Sequence, residues 1–252
     1  MTVSYSIIIP AFNEGRRLGS TLEQVIAFIA QQQWRAELIV VNDGSTDNTA
    51  ELVRQYSQRN PLIRLVENPG NRGKGFSVRN GMLNAHGDVL LFTDADLSSP
   101  IAEAPKLFDA IEAGADIAIG SRWLDPSLQT HRQSVLRQAL GRGYNLLMRA
   151  ILGLNFKDTQ CGFKAFSRNA AKLIFPAQHI EHWGFDSELL FLARRFELKV
   201  KEIPVRWGHD AGTRIHPFRD GVQMFVEMLT IRWIDLRGEY RVAARQAAKL
   251  SS

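Results

Sequence analysis

The sequence predicts an α/β fold, a mostly parallel central sheet flanked by helices, and three observations carry that prediction. Short β-rich runs alternate with stretches of helical period along residues 1–121. The runs Ile7–Ile9, Leu38–Val41 and Val89–Phe92 are apolar at every position, as strands covered on both faces are. No internal repeat or low-complexity linker interrupts the 252 residues, so they read as one continuous domain.

Taken in order, Ser4–Ile9 reads as a strand, and Arg16–Gln33 as a helix with Leu18, Leu22, Val25, Ile26 and Ile29 on one face. Glu37–Val41, Leu62–Val66, Val89–Thr93 and Asp116–Gly120 read as further strands, separated by helices over Asn48–Arg59, Gly75–Ala85 and Pro100–Ala113. The second half is more helical. Gln133–Leu152 places Leu136, Leu140, Tyr144, Leu147 and Ile151 at helical spacing. Gln160–Phe166 and Val200–Trp207 look like strands on either side of a helix over Asp186–Phe196. Pro217 opens a last helix, Phe218–Leu236, with a stripe of Phe218, Val222, Phe225, Leu229, Trp233 and Leu236. The stripe reads either as a packing face or as a membrane-surface face. Met224, Met228, Ile231 and Ile234 add the apolar surface that the second reading needs. The expected domain is 1–238, with halves at about 1–121 and 122–238 and a tail over 239–252.

A chain that is 45% hydrophobic and 23% charged is neither disordered nor fibrous. A single cysteine, Cys161, excludes a disulfide framework and reads as core packing. The longest uncharged stretch, Met1–Asn13, is too short to span a bilayer, contains Pro10 and lacks a basic start. The expected location is therefore cytoplasmic, peripheral on the cytoplasmic face of a membrane. The net charge of +5 conceals a division: residues 1–121 hold 10 Lys and Arg against 14 Asp and Glu, net −4, whereas residues 122–252 hold 21 against 12, net +9. An acidic half joined to a basic half suggests a bound cation in one and an anionic partner in the other.

Ligands of open α/β sheets bind beyond the carboxyl ends of the strands, so the segments that follow each strand carry the chemistry. Pro10-Ala11-Phe12-Asn13-Glu14 follows the first strand without a dinucleotide fingerprint, and Gly70-Asn71-Arg72-Gly73-Lys74-Gly75 lacks P-loop spacing. Its glycines still allow backbone to approach a ligand, with Lys74 near a helix N-terminus. Asn42-Asp43-Gly44-Ser45 reads as a turn and helix cap that leaves Asp43 for a ligand. Asp94 and Asp96, two residues apart after an apolar strand, project to the same side. Two carboxylates that close call for a cation, and Mg²⁺ commonly takes one or two carboxylates plus phosphate oxygens; a solvated acidic turn is the competing reading. His179 and His182 lack the partners of a zinc site, and no G-x-S-x-G motif is present.

Four segments together resemble the family-2 glycosyltransferases of the GT-A fold: Ile7–Glu14, Val41–Asp47, Asn71–Gly75 and Asp94-Ala95-Asp96. Gly120-Ser121-Arg122, Asp158–Lys164, Trp183–Leu190 and Glu202–Val205 narrow the likeness to the dolichyl-phosphate β-glucosyltransferase group, which shares much with the polyprenyl-phosphate glucosyl- and mannosyltransferases. The resemblance covers about residues 4–238. It implies that Pro10, Ala11, Glu14 and Asp43 surround the base and ribose of a nucleotide sugar, with Lys74 nearby. It implies that Asp94 and Asp96 hold Mg²⁺ or Mn²⁺ against the diphosphate, Asp96 being catalytic. Arg122 would hold the phosphate of a polyprenyl or dolichyl acceptor, with Arg137, Arg206 and Arg214 as further cations; Asp158 and Asp186 would stand near the site as base, orienter or structural partner and, with Arg122, join Asp96 among the catalytic candidates. Leu97-Ser98 stands where mannosyl relatives often have Leu-Gln, and Arg214 where relatives often have Lys.

The expected activity is thus inverting transfer of glucose from UDP-glucose to a lipid phosphate, on a membrane surface and with room for a membrane-protein partner. A saccharide acceptor, with Asp186 as base, or GDP-mannose as donor are the nearer alternatives. A basic nucleic-acid module is disfavoured, because the basic residues are scattered among core positions without interleaved aromatics. No nucleic-acid partner is expected.

Overall fold

The computed structural model describes residues 4–129, 143, 146–208 and 217–242. Strands β1 (Ser4–Ala11), β2 (Arg35–Asn42), β3 (Ile63–Glu67), β4 (Val89–Thr93), β5 (Ile117–Ser121), β6 (Phe163–Ser167) and β7 (Val200–Pro204) form one sheet in the order β3-β2-β1-β4-β6-β5-β7. Every pairing is parallel except those of β6, which runs antiparallel to both β4 and β5. The chain winds outward from β1 through β2 to β3 and then crosses to β4 on the other side of β1. The switch point between β1 and β4 opens a crevice at their carboxyl ends.

Alternating side chains build a core on each face of the sheet. Ile7, Ile9, Leu38, Val40, Val89 and Leu91 pack beneath α1 (Leu18–Gln31), α2 (Thr49–Arg59) and α4 (Ala104–Glu112). Ile8, Ile39, Val41, Leu90, Phe92 and Phe166 face α3 (Lys74–Leu83), a helix over 146–152 (α5), α6 (Arg168–Ala177), α7 (Phe185–Arg195) and α8 (Pro217–Leu236). This two-faced burial explains why the strand runs are apolar throughout rather than alternating.

Several boundaries move for local reasons. The strand expected from Gln160 starts only at Phe163, because Asp158–Gly162 forms a loop held by side-chain hydrogen bonds. The strand expected to reach Trp207 ends at Pro204, a residue with no N–H to continue a ladder. The helix expected over Pro100–Ala113 opens as a 3₁₀ turn, Ile101–Glu103, before α4. Helix α6 carries no sequence expectation; Ser167 caps it by accepting the Ala170 N–H at 3.2 Å, and Pro176 stands in its last turn. Of the helix expected over Gln133–Leu152, residues 133–142, 144 and 145 lie outside the described residues.

On α8 the stripe, read as either a packing or a membrane-surface face, is turned outward rather than packed on the domain. Met228, Ile231 and Ile234 are buried in the core, whereas Val222, Phe225, Leu229, Trp233 and Leu236 are exposed. Branched and flexible side chains fill the groove over α7, and the aromatic stripe is left outside. Among the described residues, no helix is long and apolar enough to cross a membrane.

Beyond residue 238, Tyr240 is buried and donates its hydroxyl to Glu188 Oε1 at 2.6 Å. Glu188 also accepts the N–H groups of His179 and Ile180, each at 2.8 Å. Burial pushes its carboxyl from 4.5 up to about 7. A raised folded-state pKa means that the folded protein holds this proton more tightly than the unfolded chain. The contribution is complete below about pH 4.5 and is lost as pH rises through about 7. Denaturant titrations from pH 4.5 to 8 are expected to show the native protein losing stability relative to Glu188→Gln, by up to roughly 3 kcal/mol. Parallel pH profiles for the two proteins would contradict this reading.

Candidate active site

Loops at the carboxyl ends of β1 and β2 are fastened to each other before any ligand is considered. Asn13 adopts a positive φ of 53°, which turns its amide toward the β2 loop; Oδ1 accepts the Thr46 N–H at 2.7 Å. In return, Asn13 N–H donates to Ser45 Oγ at 2.9 Å and Glu14 N–H to Thr49 Oγ1 at 2.8 Å. Pro10 and Ala11 end β1 opposite Val41 and Asn42, so the expected nucleotide-binding segment lies on the rim of the crevice. The Glu14 carboxylate pairs with Arg17.

Asp43 is buried and shapes the glycine-rich loop. Its Oδ1 accepts Asn68 Nδ2 at 2.7 Å and the Arg72 N–H at 2.9 Å, and its Oδ2 accepts the Gly73 N–H at 2.8 Å. A residue read as left for a ligand thus spends its carboxylate on presenting the N-terminus of α3. Gly73 sits at φ 106°, where a Cβ would lie 2.4 Å from His182 Nδ1, so backbone freedom and close packing both demand glycine. Arg72 spans the same seam to Glu181 at 2.6 Å.

At the carboxyl end of β4, Asp94 and Asp96 are partly exposed while Ala95 between them is buried, so both carboxylates stay on the open side. Lys74 Nζ reaches Asp94 Oδ1 at 2.5 Å. Burial opposes the lysine's charge, but Asp94, Asp186 and Asp96 outweigh it and hold the ammonium above its ordinary range. Burial, reinforced by Asp94, raises the Asp96 carboxyl, against the Ser98 N–H that donates to it at 2.9 Å. Gly162 gives Asp94 its space: a Cβ there would lie 2.3 Å from Asp94 Oδ2. The Cys161 thiol beside it is buried and pushed up to about 12, chiefly by desolvation, which makes it unreactive packing.

The second half contributes two charge pairs. Arg122, just after β5, is gripped by Asp158: Nε to Oδ2 at 2.7 Å, Nη2 to Oδ1 at 2.8 Å, and its own N–H to Oδ2 at 2.9 Å. Gln160 N–H adds a bond to Asp158 Oδ1 at 3.2 Å. Burial alone would raise Asp158, yet the guanidinium holds its carboxyl below the usual range. Trp207 lies 5.5 Å from the guanidinium of Arg122. The other pair is fully buried: Lys164 of β6 donates to Asp186 in the first turn of α7, and to the Cys161 carbonyl at 2.6 Å. Burial raises the Asp186 carboxyl, with Lys164 and Lys74 opposing.

The structure therefore brings Lys74, Asp94, Asp96 and Asp186 into one electrostatic cluster, with Arg122 and Asp158 beside it. Arg206 is directed elsewhere, to the buried Glu103 at 2.5 Å. Arg137 and Arg214 lie outside the described residues. Sequence reasoning passed over Lys164, although a lone lysine inside the apolar run Phe163–Phe166 was the available signal. It also gave no structural role to Gly162. Among the described residues, no group of three or more His, Cys, Asp or Glu is placed to hold a metal. Mg²⁺ needs only one or two protein carboxylates when phosphate and water complete its shell, and the pair Asp94 and Asp96, with the space that Gly162 leaves beside Asp94, meets that requirement.

With this geometry in place, comparisons with known proteins are informative. The family model for glycosyl transferase family 2 matches residues 6–175. A dolichyl-phosphate beta-glucosyltransferase of Drosophila melanogaster is 38% identical over 259 residues, covering 97% of this chain and 79% of that protein. The protein of the same name from Saccharomyces cerevisiae is 36% identical over 255 residues, covering 94% and 76%. Glucosyl-3-phosphoglycerate synthase from Mycobacterium tuberculosis, solved with UDP, superposes with a TM-score of 0.64 at 20% identity over 91% of this chain and 80% of that one. The same synthase has been solved with Mn²⁺, UDP and phosphoglyceric acid, with a TM-score of 0.64 at 19% identity over 94% and 78%. These likenesses support the GT-A architecture.

Asp158 is expected to be indispensable to local stability. Asp158→Ala strands the Arg122 guanidinium and should cost about 2–3 kcal/mol by chemical denaturation, short of a fully buried pair because the Arg122 side chain is 18% exposed. An unchanged denaturation midpoint would show that the pair contributes nothing.

Proposed function

This chain is a glycosyltransferase that belongs to glycosyl transferase family 2, in the group of the dolichyl-phosphate β-glucosyltransferases, and on that premise we propose that it moves glucose from UDP-glucose to the phosphate of a polyprenyl or dolichyl lipid, inverting the configuration at C1. One observation carries the choice of acceptor. The two carboxylates that could have served a hydroxyl acceptor as base are both committed: Asp158 to Arg122 and the Gln160 N–H, Asp186 to Lys164. A phosphate monoester needs no base, because it is already largely ionised near neutral pH. Its oxygen attacks C1 directly while the nucleoside diphosphate departs.

The residues' tasks are then positional and electrostatic. Loops 10–14 and 42–45 form the rim on which the nucleoside rests. Lys74 at the start of α3 is held cationic by its acidic neighbours, and its ammonium, beside Asp94, is the group we assign to a diphosphate oxygen. Asp94 and Asp96 would hold the divalent cation, Mg²⁺ or Mn²⁺, and such an ion compensates the charge that builds on the leaving diphosphate. Arg122 offers a planar, permanently charged guanidinium to the acceptor phosphate, and Asp158 keeps it from swinging away.

Purified protein incubated with UDP-glucose, Mg²⁺ and a short polyprenyl phosphate is expected to yield a glucosyl phospholipid. Asp96→Ala should lower kcat/KM by about a hundredfold or more. Product only from GDP-mannose, product only on a saccharide, or full activity in Asp96→Ala would each overturn the proposal.

A further inference from the structure

We propose that the exposed face of α8 docks on an anionic lipid bilayer, laying the protein against the membrane beside its active site. At 100° per residue, Val222, Phe225, Val226, Leu229, Trp233 and Leu236 fall within an arc of about 100° on this helix. All six are exposed, Trp233 by 56% and Leu236 by 79%, a concentration of apolar surface that a soluble face does not require. The opposite face, with Met228, Ile231 and Ile234, anchors the helix to the core, so the stripe is held outward by packing.

Charge on the rims selects the occupant. Arg232 falls on one side of the arc and Arg237 on the other, with Arg237 lying over the Trp233 ring at 4.4 Å. Asp235, the acidic residue of this turn, points to the body and is matched by Arg195 at 2.6 Å, although Arg232 also leans to 3.6 Å from it. Glu239 pairs with Arg237 at 2.9 Å, while Arg241 adds a further exposed cation. An apolar stripe with tryptophan and basic rims is the form of a helix lying in a membrane interface. A second copy of the chain fits less well, because a two-fold contact would set these basic rims against each other with no acidic residue on the stripe.

Placement ties the surface to the site. Glu227, at the middle of α8 and turned inward, accepts the Gly184 N–H at 2.7 Å, one residue from Trp183, whose ring lies 5.6 Å from Lys74 Nζ. The helix that carries the stripe therefore packs its inner face on the loop beside Lys74, and a bilayer on the stripe would lie one helix's thickness from that loop. Resting on the lipid-phosphate reading above, this arrangement lets the acceptor's phosphate enter the site while its hydrocarbon chain stays in the membrane.

The test uses the full chain and its triple variant Phe225→Ser/Leu229→Ser/Trp233→Ser, whose exposed positions should leave thermal unfolding unchanged. Sedimentation with phosphatidylcholine vesicles containing phosphatidylglycerol is expected to bind the native protein and the variant about tenfold or more weaker. Omission of phosphatidylglycerol should weaken native binding. The variant should keep its rate on a short, water-soluble polyprenyl phosphate and lose it on a long one embedded in vesicles. Equal vesicle binding by both proteins, no native binding, or a native dimer that the variant converts to monomer would overturn the docking surface. Vesicle binding through the stripe without transfer to any lipid phosphate would sink the acceptor reading and leave the docking surface standing.

Discussion

A fully buried ammonium, Lys164, is the constraint around which the site is arranged. It stands on β6, the strand that reverses direction between β4 and β5, and at the heart of an otherwise apolar layer. An unpaired charge there would cost several kcal/mol, so Asp186 must meet it. Meeting it fastens the first turn of α7 against the sheet. That turn carries Trp183 and Gly184 to the rim and places Asp186 within electrostatic range of Lys74. Reversal of β6 has a second effect: it brings the loop Asp158–Gly162 to the edge where the parallel strands end. The carboxylate that holds Arg122 and the space for Asp94 both come from that loop.

Positive and negative groups alternate along this edge, from Asp96 and Asp94 through Lys74 to Asp186 and Lys164, with Arg122 and Asp158 alongside. The arrangement suits a reaction between two anions. Without cations, a donor diphosphate and an acceptor phosphate repel; with too many, the empty site would repel itself. Matching each cation with a carboxylate stabilises the fold before substrate arrives, and the proposed divalent ion would take over Asp94 when phosphate oxygens arrive for Lys74. The division of net charge in the sequence, −4 then +9, thus becomes a boundary within one crevice rather than between two separate modules.

Much of the architecture could be read from the chain because strands buried on both faces leave an unmistakable apolar signature, and loops after such strands hold the ligand groups. Asp94 and Lys74 were singled out on that principle, and Arg122 on the family resemblance. Other features depend on contacts between distant segments. Asp43 reads as a residue awaiting a ligand, and only the fold reveals that residues 68, 72 and 73 occupy its carboxylate. Gly162 matters because Asp94 lies across a strand pairing from it, 68 positions earlier in the chain. Helix α8 is apolar on two faces, so periodicity identifies the helix but cannot choose which face packs; the face that joins the core with α7, carrying Met228, Ile231 and Ile234, is seen only in the fold. Tyr240 had no local signal at all, since its partner Glu188 belongs to another helix.

Calorimetric titration of UDP into the protein, with and without Mg²⁺, tests the core of this account most directly. The expected result is a gain of about tenfold or more in UDP affinity when Mg²⁺ is present, abolished in Asp94→Asn, because nucleotide and cation would share the carboxylates at the end of β4. Equal affinity with and without Mg²⁺, or a gain that survives Asp94→Asn, would contradict it.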